Sequence, residues 1–259
     1  SEAVETATDI TDTKKWKKID RWITSGAVKL AHLGTPCSSF SRARKDDGGP
    51  RPLRSEEFPD GLPEIRDRDI NDPDKKKLIA GNYFMHVTAD WCRKLSELGC
   101  HCTVENPLDS FIWNCKEFEE LKKIEGVVEV LMDQCSYFHS SKKPTKFLCS
   151  HHAFLVMTSF CRMEFEPHEH EILKGKVRCP KTGKIVFKTK LAQEYPEKLC
   201  RSYSSVVKVL RDGPPRSSSQ WPKRCQFGTT QFWKDFLVQS EGKRKRPVGQ
   251  EVDWKEHKQ

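Results

Sequence analysis

Apolar positions along the chain fall into short continuous runs separated by longer stretches with helical spacing. Val28-Lys29-Leu30-Ala31-His32-Leu33 has strand character and is stopped by Gly34-Thr35-Pro36. Ile79, Tyr83, Val87, Trp91, Leu95 and Leu98 recur at steps of three or four, which predicts a helix with one apolar face. Asp72-Pro73-Asp74 supplies its start and Gly99 its stop. His101 to Val104 reads as a second strand running into Glu105-Asn106-Pro107. A helix is expected over about 116–124 and a third strand over Val127 to Met132. Strand, helix, strand at this spacing argues for an α/β architecture with a mainly parallel sheet.

The remaining segments set the expected boundaries. Residues 1–20 are polar without periodicity and read as a mobile arm. Residues 42–77 mix charges with Gly49-Pro50, Pro52, Pro59, Gly61, Pro63 and Pro73, the signature of a long loop. Residues 147–190 are rich in Cys and His and carry strand-like Lys176-Val177-Arg178 and Ile185-Val186-Phe187 around a turn. Leu191, Tyr195, Leu199, Tyr203, Val206 and Leu210 form a second apolar helical face, with Pro196 near its start. Residues 21–212 thus read as the folded domain, and 213–259 as a largely disordered tail whose basic run 243–246 reads as a nuclear import signal, a phosphate-binding arm or a solvated charge run.

Composition narrows the classes. In 259 residues, 46 Lys and Arg against 37 Asp and Glu leave a net charge of +9, which fits a polyanionic partner. No stretch approaches the roughly 18 apolar residues that a membrane span needs. Eleven cysteines, an odd number, are spread from Cys37 to Cys225 behind an N-terminus with no apolar leader. Reduced thiols in an intracellular compartment are therefore expected, the nucleus if the source is eukaryotic.

Two segments carry candidate chemistry: Gly34-Thr35-Pro36-Cys37-Ser38-Ser39-Phe40-Ser41 and Glu105-Asn106-Pro107. Each follows a predicted strand, where open α/β sheets place ligands. A thiol at one strand end and a carboxylate at the next suit covalent catalysis, the thiolate as nucleophile and the carboxyl managing the proton. Taken singly, a strand-end cysteine is more often a packing residue, and Glu-Asn-Pro is an ordinary turn sequence. The pair, in this order, is what carries information.

Gly-x-Pro-Cys-x-x-Phe-Ser followed by Glu-Asn resembles the catalytic core of the cytosine carbon-5 DNA methyltransferases. The resemblance spans about residues 28–210 and implies a partial Rossmann-like methyltransferase sheet with a Cys/His-containing C-terminal part. It implies Cys37 as the nucleophile toward carbon-6 of a flipped-out cytosine, and Glu105 as the base-binding acid. Pro36, Ser38, Asn106 and Pro107 would shape the pocket around them. Lys142-Lys143-Pro144-Thr145 falls where typical members carry Gln-x-Arg-x-Arg, so that Lys143 and Thr145 would meet the base or a phosphate. S-adenosylmethionine is the implied methyl donor and DNA the implied partner, RNA being the other choice. Ser38 stands where the family has Gln, and Pro107 where it has Val. The family's donor-binding Gly-rich loop has no counterpart ahead of Val28, which leaves the donor-contacting residues unnamed and points to a partner chain supplying that half. The competing readings are a nucleic-acid-binding module that kept the fold without the reaction, or a retroelement-derived fragment.

A second constellation is independent of the resemblance. Cys161, His168, His170 and Cys179 place two thiols and two imidazoles within 19 residues, a donor set suited to tetrahedral zinc. Their spacing matches no standard finger, and a solvated His pair is the alternative.

Overall fold

The computed structural model of the chain describes residues 10–45, 47, 49–162, 167–180 and 182–212. The tail with its basic run 243–246 and the first nine residues lie outside them. The described residues up to Lys208 form one compact unit; beyond it only Val209–Asp212, the end of the last helix, are described.

The segment expected to be a mobile arm holds a helix, α1 (Thr13–Thr24), whose N-terminus is capped by the Asp12 carboxylate accepting from the Lys14 and Lys15 amides. Trp16, Ile19 and Ile23 give it an apolar stripe that packs into the main core. The strand after it, β1 (Leu30–Gly34), begins two residues later than the apolar run suggests. The segment expected to be a long loop over 42–77 is shorter than that: its described residues are irregular only up to Asp72, apart from one turn of helix, α2 (Pro63–Arg66), and 73–77 are helical; its Leu53 and Ile65 form a small core with Leu78.

Helix α3 (Pro73–Glu97) starts and stops where the sequence indicates: Asp72 caps the Asp74 and Lys75 amides, and Gly99 takes a φ of +63° just past its end. Its buried face is wider than the predicted stripe. Leu78, Gly81, Met85, Thr88, Ala89, Trp91, Cys92 and Leu95 are buried, whereas Ile79, Tyr83 and Leu98 are exposed. The reason is that part of this face meets polar neighbours, which hydrophobic spacing does not register: Thr88 Oγ1 is 2.8 Å from Thr35 Oγ1, and Gly81 lies under Ser39 and Arg54.

Strand β2 (His101–Pro107) is followed by a 3-10 turn at Phe111–Asn114, helix α4 (Lys116–Leu121), β3 (Val128–Asp133), a 3-10 turn at Gln134–Tyr137 and β4 (Pro144–Cys149). The main sheet has the order β1-β2-β4-β3. β1 pairs parallel with β2, while β4 is antiparallel to both β2 and β3. Three strands therefore run the same way and β4 is inserted against them, so the sheet is mixed. β4 falls in a stretch left without strands in the sequence reading, because Lys-Pro-Thr-Lys masks its short apolar end.

Period-two alternation sorts the two faces. Ala31, Leu33, Cys102, Val104 and Leu148 pack with α1, α3 and α4 in the principal core. His32, Thr103, Glu105 and Phe147 point to the other side. That side is reached by the 3-10 segment His152–Met157 and by helix α6 (Glu197–Asp212), whose Tyr203 ring lies 5.4 Å from Phe154.

Between them a small hairpin, β5 (Lys176–Arg178) and β6 (Ile185–Phe187), leads into one turn of helix, α5 (Lys188–Leu191). The second apolar face is thus split. α5 stops at Leu191, and Pro196 stands just before α6, its carbonyl accepting from the Leu199 and Cys200 amides. No helix among the described residues is long and apolar enough to cross a membrane.

Candidate functional site

The register of β1 on β2 sets Gly34 opposite Glu105, so the turn carrying Cys37 leaves β1 beside that carboxylate. The turn is pinned from below. Phe40 is fully buried with the Arg54 guanidinium 3.6 Å over its ring. Arg54 donates to Ser39 O and Oγ, to Pro59 O and to Leu78 O, and burial lowers its pKa to about 10. A Cβ on Gly81 would overlap Ser39 Oγ and crowd Arg54 Nη2, so glycine alone fits there. A second clamp comes from β2: the Asn106 amide, fully buried, donates to Thr35 O at 2.8 Å and to Glu105 O at 2.9 Å. Phe40 N closes the turn onto Cys37 O at 2.9 Å. Pro36 and Ser38 are exposed at its rim and Cys37 is half-buried.

Three ionisable groups act on one another here. Burial and the neighbouring Glu105 raise the Cys37 pKa, while the Lys143 ammonium opposes them. Burial likewise raises Glu105, against Lys143 and a hydrogen bond donated by Tyr195. Burial lowers Lys143, and the charges of Glu105 and Cys37 pull it back. The resting state is therefore a neutral thiol beside a carboxyl that holds its proton more readily than usual.

Behind Glu105 lies a hydrogen-bond chain. Tyr195 Oη donates to Glu105 Oε2 at 3.1 Å and lies 3.2 Å from His32 Nε2. His32 Nδ1 is 2.9 Å from Thr103 Oγ1, which is 2.8 Å from Tyr203 Oη. Since Tyr195 gives its proton to the carboxylate, His32 Nε2–H donates to Tyr195, and Nδ1 accepts from Thr103. Burial among the rings of Phe147, Tyr195 and Tyr203 lowers the His32 pKa, which keeps the imidazole neutral. The sequence carried no clear mark of this chain beyond a lone histidine within an apolar strand run.

Lys143 sits at a φ of +41° and donates from Nζ to Ala192 O at 2.8 Å, just before Tyr195. Thr145 is completely buried: it donates to Lys143 O and accepts from Gln134 Nε2, each at 3.0 Å. Pro107 ends β2 opposite Thr145. The segment Lys142–Thr145 therefore offers one side chain to the pocket, Lys143, with Thr145 beneath it as a support. An open cleft of about 370 Å³ lies beyond the Pro107 end of β2, lined in part by Arg42, Trp113, Lys122 and Lys146. Glu56, Glu119 and Glu129 pair with those cations, so the cleft is close to neutral.

The Cys/His group is assembled, with one change of membership. Cys161, His168 and His170 are joined by Cys135, and their ligand atoms all lie within 4.8 Å of one another. Cys179 is not the fourth member. It lies between β5 and β6, where its amide donates to Lys184 O and its carbonyl accepts from Gly183 N. Cys135 was missed because it is 26 positions before Cys161 in sequence and reaches the group only through the turn after β3. The four side chains are suited to hold a metal ion.

No protein-family model matches the chain, and neither a curated protein nor a solved structure matches it.

Proposed function

We propose that the chain is a cytosine carbon-5 methyltransferase-like domain acting on a polynucleotide, with a partial Rossmann-like methyltransferase sheet as its frame. The supporting observation is the mutual placement of Cys37, Glu105 and Lys143 at the ends of β1, β2 and the turn before β4. Cytosine is unreactive at carbon-5 until a nucleophile adds at carbon-6. The Cys37 sulfur forms that bond, while the Glu105 carboxyl gives a proton to the ring nitrogen. Its raised pKa suits it to carry that proton near neutrality. Lys143 favours the thiolate once Glu105 is neutral. A base must leave the helical stack to reach Cys37, and the net charge of +9 suits the backbone it leaves.

S-adenosylmethionine is the methyl donor that the resemblance implies, and the described residues do not fit it. Among the described residues no Gly-rich strand-to-helix turn occurs beside β1, and α1 packs into the core ahead of that strand. No step is therefore assigned to the donor's binding, and a partner chain supplying that half belongs to the proposal. Zinc is the ion we assign to the Cys/His group, since two thiolates and two imidazoles suit it. A reduced-function reading, nucleic-acid binding with no reaction, is favoured by the thiol's raised pKa.

A covalent trap separates the two. With DNA containing 5-azacytosine, the nitrogen at ring position 5 takes a proton once sulfur adds at carbon-6, so no methyl donor is needed. The Cys37–carbon-6 bond then persists in the protonated adduct. The expected result is a denaturant-resistant adduct on the Cys37 peptide, absent in Cys37→Ala. DNA binding with no adduct would support the binding-only reading.

A further inference from the structure

We infer that Cys135, Cys161, His168 and His170 form a closed zinc site that fastens the segment after the 3-10 turn His152–Met157 onto the end of β3, and in doing so holds Lys143 at the pocket. The inference rests on the proposed pocket only for the importance of Lys143.

The donor geometry fits zinc. A tetrahedral ion about 2.3 Å from sulfur and 2.0–2.1 Å from nitrogen sets the sulfur–nitrogen edge at about 3.5–3.6 Å. Cys161 Sγ lies 3.5 Å from His168 Nε2 and 3.5 Å from His170 Nε2. The two Nε2 atoms are 2.9 Å apart, so the rings spread by about 0.4 Å to reach the edge of about 3.3 Å that the same geometry requires. Four protein ligands fill the shell and leave no position for substrate, which makes the site structural.

The surroundings already align the ligands. Asp133, buried at the end of β3, accepts from the Cys161 amide at 2.9 Å through Oδ2. Its own amide donates to Ser159 O at 2.9 Å, and Ser159 N donates to Leu131 O. Tyr137 Oη donates to Met157 O at 2.6 Å, and Glu171 N donates to Ser140 O at 2.8 Å. The described parts of this strap, residues 157–162 and 167–171, are thus bonded to β3 and the turn after it, and the four ligands bridge the two.

The link to the pocket is short. Cys135 N donates to Lys142 O, and Gln134 N to Lys143 O. Gln134 also holds Thr145, which bonds back to Lys143 O. The turn bearing one metal ligand is thus the turn that fixes the left-handed backbone of Lys143. On the other side, Glu171 of the strap pairs with Lys188 at 3.4 Å, at the start of the helix that leads to Tyr195.

Metal analysis of the purified full chain tests the site, and cobalt replacement its donors. One zinc per chain is expected, with a thiolate-to-cobalt charge-transfer band on substitution. Cys135→Ser and His170→Gln should each lose the metal, and Cys179→Ser should keep it. Near-zero metal, or retention by Cys135→Ser with loss by Cys179→Ser, overturns the assignment.

The coupling is read from the pH dependence of Cys37 alkylation by iodoacetamide, with circular dichroism confirming the fold. Removing zinc should move the Cys37 titration upward in wild type and leave it unmoved in Lys143→Met. An unchanged wild-type profile, or an equal change in both, overturns the fastening role. Neither readout involves methyl transfer, so failure here is distinguishable from failure of the proposed reaction.

Discussion

The charge balance among Cys37, Glu105 and Lys143 determines when a thiolate exists. A Glu105 carboxylate raises the Cys37 pKa and the Lys143 ammonium lowers it, so the two neighbours should have opposite effects. Glu105→Gln removes the like charge and should shift the alkylation profile of Cys37 toward lower pH. Lys143→Met removes the counter-charge and should shift it toward higher pH, by up to about one unit for a half-buried group. Tyr195→Phe removes a bond that favours the ionised carboxyl. Glu105 then keeps its proton to higher pH, and over that interval Cys37 should alkylate faster than in wild type. Shifts of the same sign from Glu105→Gln and Lys143→Met would contradict this account. Cys37 and Glu105 were legible from sequence because each occupies a strand end with its motif around it. Tyr195, His32 and Arg54 were not. A tyrosine on an apolar helical face and an arginine in a charged loop look like packing and solvent until the chain is folded.

At the scale of elements, the sequence reading was reliable where a cap or a period fixed the answer and failed where polar contacts did. The Asp72 cap and Gly99 delimit α3, but its inward side was offset because Gly81 and Thr88 face Ser39, Arg54 and Thr35. β4 was overlooked because an antiparallel strand inserted between β2 and β3 leaves no connection-length signature. The long segment 42–77, which composition marks as a loop, is held to the fold by one buried arginine and three apolar side chains. This arrangement makes Gly81 a sensitive position. Gly81→Ala should push Ser39 and Arg54 aside, cost about 1–3 kcal/mol in chemical denaturation, and speed proteolysis within 42–77. Ala43→Gly, in the exposed loop, should change stability much less. Unaltered stability and cleavage in Gly81→Ala would show that the close packing under the Cys37 turn is dispensable.

At the scale of the molecule, the two candidate centres lie on one structural path. The Cys/His group brings Cys161 and the two histidines to the turn after β3, that turn fixes Lys143, and Lys143 and Tyr195 both act on Glu105. Sequence spacing pointed to three of the four side chains of the Cys/His group, because His-x-His and the nearby cysteine are close in the chain. The fold, not spacing, brings Cys135 into the group in place of Cys179. The charge of +9 pointed to a polyanion without locating its track, and the cleft lined by Arg42, Lys122 and Lys146 is balanced by carboxylates.

The central claim, that Cys37 adds to carbon-6 of cytosine with Glu105 as its acid, is tested most directly by hydrogen exchange at carbon-5. Sulfur addition makes carbon-5 basic. In heavy water it takes a deuteron, loses the original proton and expels the thiolate, with no methyl donor needed. The account predicts deuterium at carbon-5 of cytosines in DNA incubated with the protein, none with Cys37→Ala, and at least a tenfold slower exchange with Glu105→Gln. DNA that binds the protein yet returns with carbon-5 unlabelled would contradict it, as would labelling that survives Cys37→Ala.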